Sequence, residues 1–257
     1  MRRLLLLPFQ GLASLAFIIQ MYVMMALMAL VWTPAVLVRR DLAFTACRTY
    51  CLWVRWSARW MVGLRSEIRG EVPEGEVLIA SKHQSFFDII LIVSAVPRPK
   101  FIMKKELLWA PIVGFYAKAI GCIPVDRSQR GRAIKRMVAA VAEGRSRPGQ
   151  LIIFPQGTRV AAGAHLPYKA GAGILYRELA QPCVPAATNV GVFWPRHGIL
   201  RHSGLAVLEF LPAIAPGLSI AAFMGEIEAR VEAASDALMR EAGFPLPPPQ
   251  DLSSPEG

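Results

Sequence analysis

Acidic residues are scarce in this sequence, and over one long stretch so is charge of either sign. The 257 residues hold 18 Asp and Glu against 29 Lys and Arg, a formal net charge of +11, and no charged side chain occurs from Leu4 to Val38. Cysteine is equally sparse. Four residues, Cys47, Cys51, Cys122 and Cys183, without a CxxC pair backed by histidine, exclude a disulfide scaffold and argue against structural zinc, and a reducing compartment is the default. No internal repeat is present, and no G-x-S-x-G elbow announces a serine nucleophile. What the chain has in quantity is apolar: 54% of it is hydrophobic, and the mean hydropathy is +0.40. Disorder would require the reverse combination, so a chain that is as a whole a disordered tail, a coiled coil or an acidic solvating protein is excluded. Such a chain meets lipid, and its length suits one α/β domain plus an anchor.

The charge-free run is 35 residues long, bracketed by Arg2-Arg3 and Arg39-Arg40. About 20 apolar residues cross a bilayer, so one span fits and two spans with a turn do not. Of the 29 basic residues, 27 follow the run, which favours a cytoplasmic body, yet a single span would leave Arg2 and Arg3 outside. A re-entrant helix pair, bent near Gly11 or Pro34 and held in one leaflet, keeps both arginine pairs inside; either topology satisfies the sequence. A cleavable signal peptide has an apolar core of roughly 7–15 residues, far shorter than this. Residues 1–40 are therefore expected to be a membrane anchor. Over residues 41–69, Arg48, Arg55 and Arg59 share one helical face and Trp53, Trp56 and Trp60 another, the pattern of an interfacial amphipathic helix on anionic headgroups. The alternative is a helix that packs its tryptophans into the domain.

From residue 70 to 244 short apolar runs alternate with helical periodicity. Strands are predicted at Val77–Ala80, Cys122–Val125, Leu151–Phe154, Val184–Ala187 and Leu205–Phe210. Helices are predicted near Phe86–Ala95, Lys105–Ala119, Gly131–Glu143, Gly171–Leu179 and after a Ser219 cap. The alternation predicts an α/β fold with helices on both faces of the sheet. Residues 245–257 are Pro-rich and expected to be disordered.

Chemistry-bearing residues gather at predicted strand ends, where α/β proteins place their sites. Lys82-His83-Gln84-Ser85-Phe86-Phe87-Asp88 follows the first strand. In a regular helix His83 and Asp88 would point about 140° apart, so they meet only if a turn intervenes. Ser85-x-x-Asp88 has the form of a helix cap, which leaves His83 in the preceding turn and lets Asp88 reach back to orient the imidazole as a base. With no nucleophile nearby, the attacking hydroxyl belongs to the substrate. Phe154-Pro155-Gln156-Gly157-Thr158-Arg159 follows the strongest strand. There Gly157 allows close backbone approach, Thr158 offers a hydroxyl and Arg159 a fork that matches phosphate oxygens. Gly121-Cys-Ile-Pro-Val-Asp-Arg127 is a strand ending in positive charge, with Lys104 and Lys105 upstream, and Val184-Pro-Ala-Ala-Thr-Asn-Val-Gly191 runs into a small-residue turn. Taken singly, such blocks are more often a capped helix with a surface histidine, a turn with a solvated arginine, and scaffold.

In this order the four blocks resemble those of the glycerolipid acyltransferase family, specifically bacterial 1-acylglycerol-3-phosphate acyltransferases. That family has an Asn-His-x4-Asp block, a Pro-x-x-Arg-like stretch, Phe-Pro-Glu-Gly-Thr-Arg and Val-Pro-Val-x-Leu. The matching residues lie between 82 and 191, and Phe193-Trp-Pro-Arg196 to Phe210-Leu-Pro212 is also similar to bacterial members. The resemblance implies a single glycerolipid-acyltransferase domain, a mixed sheet flanked by helices, with an N-terminal membrane-anchoring segment. It implies direct transfer from acyl carrier protein or coenzyme A thioesters to the sn-2 hydroxyl of lysophosphatidic acid, giving phosphatidic acid for phospholipid synthesis without a covalent acyl-enzyme or any cofactor. His83 and Asp88 would be catalytic, Arg159, Lys105, Arg127, Gly157 and Thr158 would hold the phosphate, and Gln156 would hydrogen-bond substrate. The expected location is the cytoplasmic side of a bacterial inner membrane, against anionic lipid.

Two departures from the family pattern matter: Lys82 stands for the usual Asn and Gln156 for the usual Glu. Lys82 would favour the free-base form of His83 if it pointed inward, or else face solvent. If position 156 only accepts a hydrogen bond, Gln serves, and Gln156→Glu is expected to change kcat/KM by less than about tenfold. Three rivals remain at this level. One is a lyso-ornithine-lipid or other lysolipid acyltransferase, one a lipid-binding protein without catalysis. The third, a membrane-tethered nucleic-acid binder, draws on the +11 charge but has no nucleic-acid motif, so no nucleic-acid partner is expected.

Overall fold

A computed structural model describes residues 2–126, 139 and 149–246, the side chains of residues 2–8 excepted. Arg127, the tail from residue 247 and nearly all of the helix expected at Gly131–Glu143 lie outside this set. Seven strands form one sheet: β1 (Leu64–Arg69), β2 (Leu78–Ser81), β3 (Pro99–Lys104), β4 (Ile123–Val125), β5 (Gln150–Ile153), β6 (Cys183–Thr188) and β7 (Gly204–Phe210). Their order is β1-β7-β6-β2-β5-β3-β4. The five strands from β6 to β4 are parallel, β7 runs against β6, and β1 runs with β7. The sheet is mixed, as expected.

Among the described residues seven helices surround it: α1 (Arg2–Val38), α2 (Leu42–Met61), α3 (Phe87–Ala95), α4 (Pro111–Ile120), α5 (Gly171–Leu179), the single turn α6 (Val190–Phe193) and α7 (Ile220–Glu241). Successive strand residues face opposite sides, so a strand buried on both faces reads as a continuous apolar run. Ile79 and Ile152 point to one core with Phe17 of α1, Val54 of α2 and Phe87 of α3. Leu78, Ala80, Leu151 and Ile153 point to the other, against Leu175 of α5 and Phe223, Ile227 and Val231 of α7. Ser219 caps α7, its hydroxyl accepting from Ala222 N at 3.2 Å.

The N-terminal third departs from its sequence reading. α1 runs as one helix through Gly11 and Pro34 over 37 residues, so neither position divides it into the two helices of the re-entrant alternative. The chain reverses instead at Arg39–Asp41, and α2 returns along α1 as an antiparallel partner. Gln20 joins the pair, accepting from Trp53 Nε1 at 3.0 Å and donating to Ser57 at 2.9 Å. Further along α1, Gln10 donates to Arg201 O at 2.5 Å, and Thr33 and Tyr116 share a hydrogen bond of 3.3 Å. Ser14, Phe17 and Met21 form a buried stripe at helical spacing, while Leu12, Ile19, Leu27 and Leu30 stay exposed. A boundary at residue 40 between anchor and domain is therefore not a packing boundary.

α2 is likewise half domain. Ala43, Val54 and Ala58 are buried, Trp56 and Trp60 are exposed, and Arg55 is turned inward to bond Ser66 and Ser94 at 2.9 and 3.0 Å, so the expected Arg48-Arg55-Arg59 face is not one surface. The interfacial helix expected through residue 69 ends at Met61, because residues 64–69 are edge strand β1. The sheet thus begins before residue 70. β3 was not expected either: Pro97 and Pro99 read as helix breakers, yet proline is tolerated as the first residue of a strand.

Candidate active site

Strands β6, β2 and β5 are parallel neighbours, so their C-terminal ends open on the same sheet edge. The blocks at residues 82–88, 154–159 and 189–191 follow these ends and meet there. Lys82 N continues the β2–β6 ladder to Ala186 O at 2.9 Å, after which the chain leaves the sheet. α3 starts at Phe87, so His83 sits in an extended turn and Asp88 in the first helical turn. The turn resolves the 140° mismatch of a regular helix: His83 Nδ1 lies 3.0 Å from Asp88 Oδ2.

The same Oδ2 accepts from Gln84 N at 2.6 Å and Ser85 N at 2.7 Å. An oxygen receiving two backbone N–H groups acts as an acceptor, so the third contact reads as donation from Nδ1–H. The lone pair of the imidazole is then on Nε2. Asp88 is fully buried, and its Oδ1 has no hydrogen-bond partner among the described residues. The ring stacks on Phe154, 3.9 Å between centroids and 16° between planes. Gln84 pins the turn from the other side, its Oε1 accepting from Gly191 N at 2.9 Å. A Cβ at Gly191 would stand 2.9 Å from Gln84 Cβ, so this position requires glycine.

The second block is tied to the first through the backbone, Val160 N donating to His83 O at 2.8 Å. Gly157 turns with φ +70°, and a Cβ there would lie 2.9 Å from Lys169 Nζ. Arg159 and His83 line one largely apolar cleft of about 440 Å³. Its walls come from four helices, with Met28 and Trp32 of α1, Tyr50 of α2, Ile89 of α3 and Tyr116 of α4 among the lining residues. Burial holds the cleft-lining Cys122 thiol up at about 11, so it is an inert wall rather than a nucleophile.

Not every expected residue joins this cleft. Lys105 opens an exposed 3-10 turn, Lys105–Trp109, between the lining residues Met103 and Leu107 but outside the lining itself. Arg127 lies outside the described residues, and the strand before it, β4, is two places beyond β5, roughly 10 Å away. Gln156 is buried and turned from the cleft; its Nε2 donates to Leu166 O at 3.1 Å and Glu232 Oε1 at 3.4 Å. Lys82 neither faces solvent nor approaches His83. It is 1% exposed and locked on Glu232 of α7, with Nζ at 2.7 and 2.5 Å from the two carboxylate oxygens. Tyr168 OH donates to the same carboxylate at 2.9 Å, and burial together with that charge holds the phenol well above its ordinary pKa.

Sequence reading missed two cations beside the turn: Lys169, packed over Gly157, and Arg196, whose Nη1 donates to Arg159 O at 2.9 Å. Nothing in the local sequence marks Lys169, because only the loop from Val160 to Tyr168 brings it back.

The sequence matches the family model described as Acyltransferase over residues 64–189. A Pseudomonas aeruginosa protein named 1-acyl-sn-glycerol-3-phosphate acyltransferase is 28% identical over 243 residues, covering 91% of this chain and 93% of its own. The human 1-acyl-sn-glycerol-3-phosphate acyltransferase alpha is 34% identical over 131 residues, 49% of this chain and 46% of the human one, so the chain spans about half the length of that relative. Among solved structures, the 1-acyl-sn-glycerophosphate (LPA) acyltransferase of Thermotoga maritima superposes with a TM-score of 0.70 over 93% of this chain and 99% of that one, at 19% identity, which shows a common fold. The family match begins at Leu64, the first residue of β1, and ends at Asn189, just past β6, so it takes in the His83 turn and the Gly157 turn that is bonded to it. Similarity over the whole length and a shared fold extend it, and residues 64–189 of the chain carry a domain that matches the acyltransferase family.

Proposed function

We propose that this enzyme transfers an acyl chain from an acyl carrier protein or coenzyme A thioester to the sn-2 hydroxyl of 1-acylglycerol-3-phosphate, giving phosphatidic acid. One observation carries the reading: His83 and Arg159 open on the same apolar cleft, so a base, a phosphate partner and a place for a hydrocarbon chain adjoin. The names of the relatives support the acceptor. With Nδ1–H held by Asp88, His83 Nε2 takes the proton of the acceptor hydroxyl as its oxygen attacks the thioester carbonyl. The tetrahedral intermediate expels the thiolate, which receives that proton from the imidazolium, and His83 ends neutral. Asp88 supports the imidazolium between the two transfers.

Arg159 binds the acceptor phosphate, with the Gly157 turn and Thr158 shaping its approach; Lys105 and Arg127 supply positive charge from farther out. Arg159→Ala is expected to raise the acceptor KM by about 10- to 100-fold, the ~1.5–3 kcal/mol of a charge-assisted hydrogen bond, and to leave the donor KM within threefold. Equal weakening of both substrates in steady-state kinetics would reject the assignment. Ala117 is 7% exposed and lines the cleft. Ala117→Phe is expected to shift preference toward shorter acyl chains by two or more carbons, judged with a series of donors of increasing length.

Attachment to the membrane follows from the exposed side of α1. Residues Phe9–Val38 are long and apolar enough to cross a bilayer. Because hydrogen bonds from Gln10 to Thr33 hold α1 along α2 and the domain, we read the α1–α2 pair as lying in one leaflet, with Trp56 and Trp60 at the headgroups. The domain then faces the cytoplasm at the inner membrane of a bacterium, against anionic lipid. The deciding experiment offers purified full-length enzyme lysophosphatidic acid and lyso-ornithine lipid with labelled donors of both kinds, and identifies products by mass. Phosphatidic acid supports the reading; acylated aminolipid alone transfers the function to that acceptor.

A further inference from the structure

Glu232 of α7 receives donors from three separate segments. Lys82 comes from the end of β2, Gln156 from the turn after β5, and Tyr168 from the loop that follows it. His165 of the same loop stands 3.5 Å from Glu232 and 3.0 Å from Glu228. Lys82 and Gln156 are 1% and 2% exposed, and among the described residues the ammonium has one carboxylate, Glu232, to neutralise it. Both polar neighbours of the Gln156 amide nitrogen, Leu166 O and a Glu232 oxygen, are acceptors, which assigns the nitrogen to that side. The amide oxygen is left buried without a protein partner. Lys82 and Gln156 are also the two positions in the resembling blocks where the sequence leaves the pattern in charge, one gaining a positive charge and the other losing a negative one.

We infer that Glu232 is a positioning residue whose carboxylate, delivered from α7, does at this buried site what a carboxylate at position 156 would otherwise do: it neutralises Lys82 and holds the Gly157–Arg159 turn in register with His83. The pairing explains both departures as one change. A buried ammonium needs one carboxylate, and the chain supplies it from 232 in place of 156. A glutamate at 156 would set two carboxylates against one ammonium, leaving a charge unpaired or forcing a shared proton onto the pair. A glutamine at 232 would leave Lys82 unpaired. Either imbalance moves the turn, while His83 keeps its own supports, Asp88 and the Phe154 ring. The earlier expectation that Gln156→Glu is nearly silent is thereby reversed.

The inference rests on the proposed acyl transfer, and the test separates the two. Full-length Glu232→Gln, Gln156→Glu and the double variant are assayed in detergent with whichever lysolipid the unmodified enzyme acylates, at a temperature where thermal melts show each folded. Failure of the unmodified enzyme to acylate lysophosphatidic acid sinks the acceptor reading alone. Each single substitution is expected to raise the acceptor KM about tenfold with kcat changed less than threefold, and the double to return KM to within threefold of the unmodified enzyme. Should a single variant not fold, Tyr168→Phe, which removes one donor and keeps the ion pair, is expected to raise the acceptor KM about threefold. Multiplicative losses in the double variant, an unchanged KM in folded Glu232→Gln, or an unchanged KM in Tyr168→Phe would each overturn the assignment.

Discussion

His83→Ala is expected to lower acyl transfer by roughly 10²–10⁴-fold, the range contributed by a positioned general base. The loss falls on kcat, because the side chain that leaves is the one that takes the hydroxyl proton. Folding should survive: the ring is on the cleft wall and 13% exposed, and its neighbours are held by Asp88, Gly191 and the β2–β6 ladder without it. Circular dichroism that matches the unmodified enzyme, with product formation at background in the detergent assay, is the expected pair of results. Activity within tenfold of the unmodified enzyme would mean that another group removes the proton.

Asp88→Asn separates orientation from charge. All three donors, His83 Nδ1 and the Gln84 and Ser85 amides, converge on Oδ2. An asparagine whose carbonyl occupies that place keeps every one of these contacts and therefore the tautomer. Its NH2 then takes the place of Oδ1, buried without a protein partner, a donor left unsatisfied at about 1–3 kcal/mol. What vanishes is the negative charge facing the imidazolium. The expected outcome is a fall in kcat of about 10²-fold, near the ~3 kcal/mol upper range for a hydrogen bond to a charged group, with a lower Tm and an acceptor KM within threefold. Asp88→Ala should be worse in both respects, since it also strips the first turn of α3 of its acceptor. A kcat in Asp88→Asn within threefold of normal would show that orientation alone suffices.

Much of the fold was legible because local rules govern it. The strand Leu151–Phe154 and the helix Gly171–Leu179 lie within a residue of their observed bounds, since a short apolar run between turns and a 3.6-residue period are local properties. β1 was hidden because Arg65, Ser66, Glu67 and Arg69 suit an exposed edge as well as a helix surface. Trp53 and Arg55 were misassigned for a related reason. Helical spacing says which residues share a face, whereas the face's partner depends on α1, β1 and α3 arriving from elsewhere.

The scarcity of acidic charge shows where sequence ends and structure begins. By itself the sequence determined that the chain is apolar at one end and basic beyond it, that strands alternate with helices, and that His83, Asp88 and Arg159 stand at strand ends, because composition, period and spacing are readable along one dimension. Only the tertiary structure decided that α1 and α2 are walls of the cleft, and that one of the few carboxylates, Glu232, is spent inside the molecule on Lys82. The reason is physical: burying an ammonium demands a counter-charge within a few ångströms, and that distance is set by how α7 packs on the sheet, 150 residues along the chain from the lysine it neutralises.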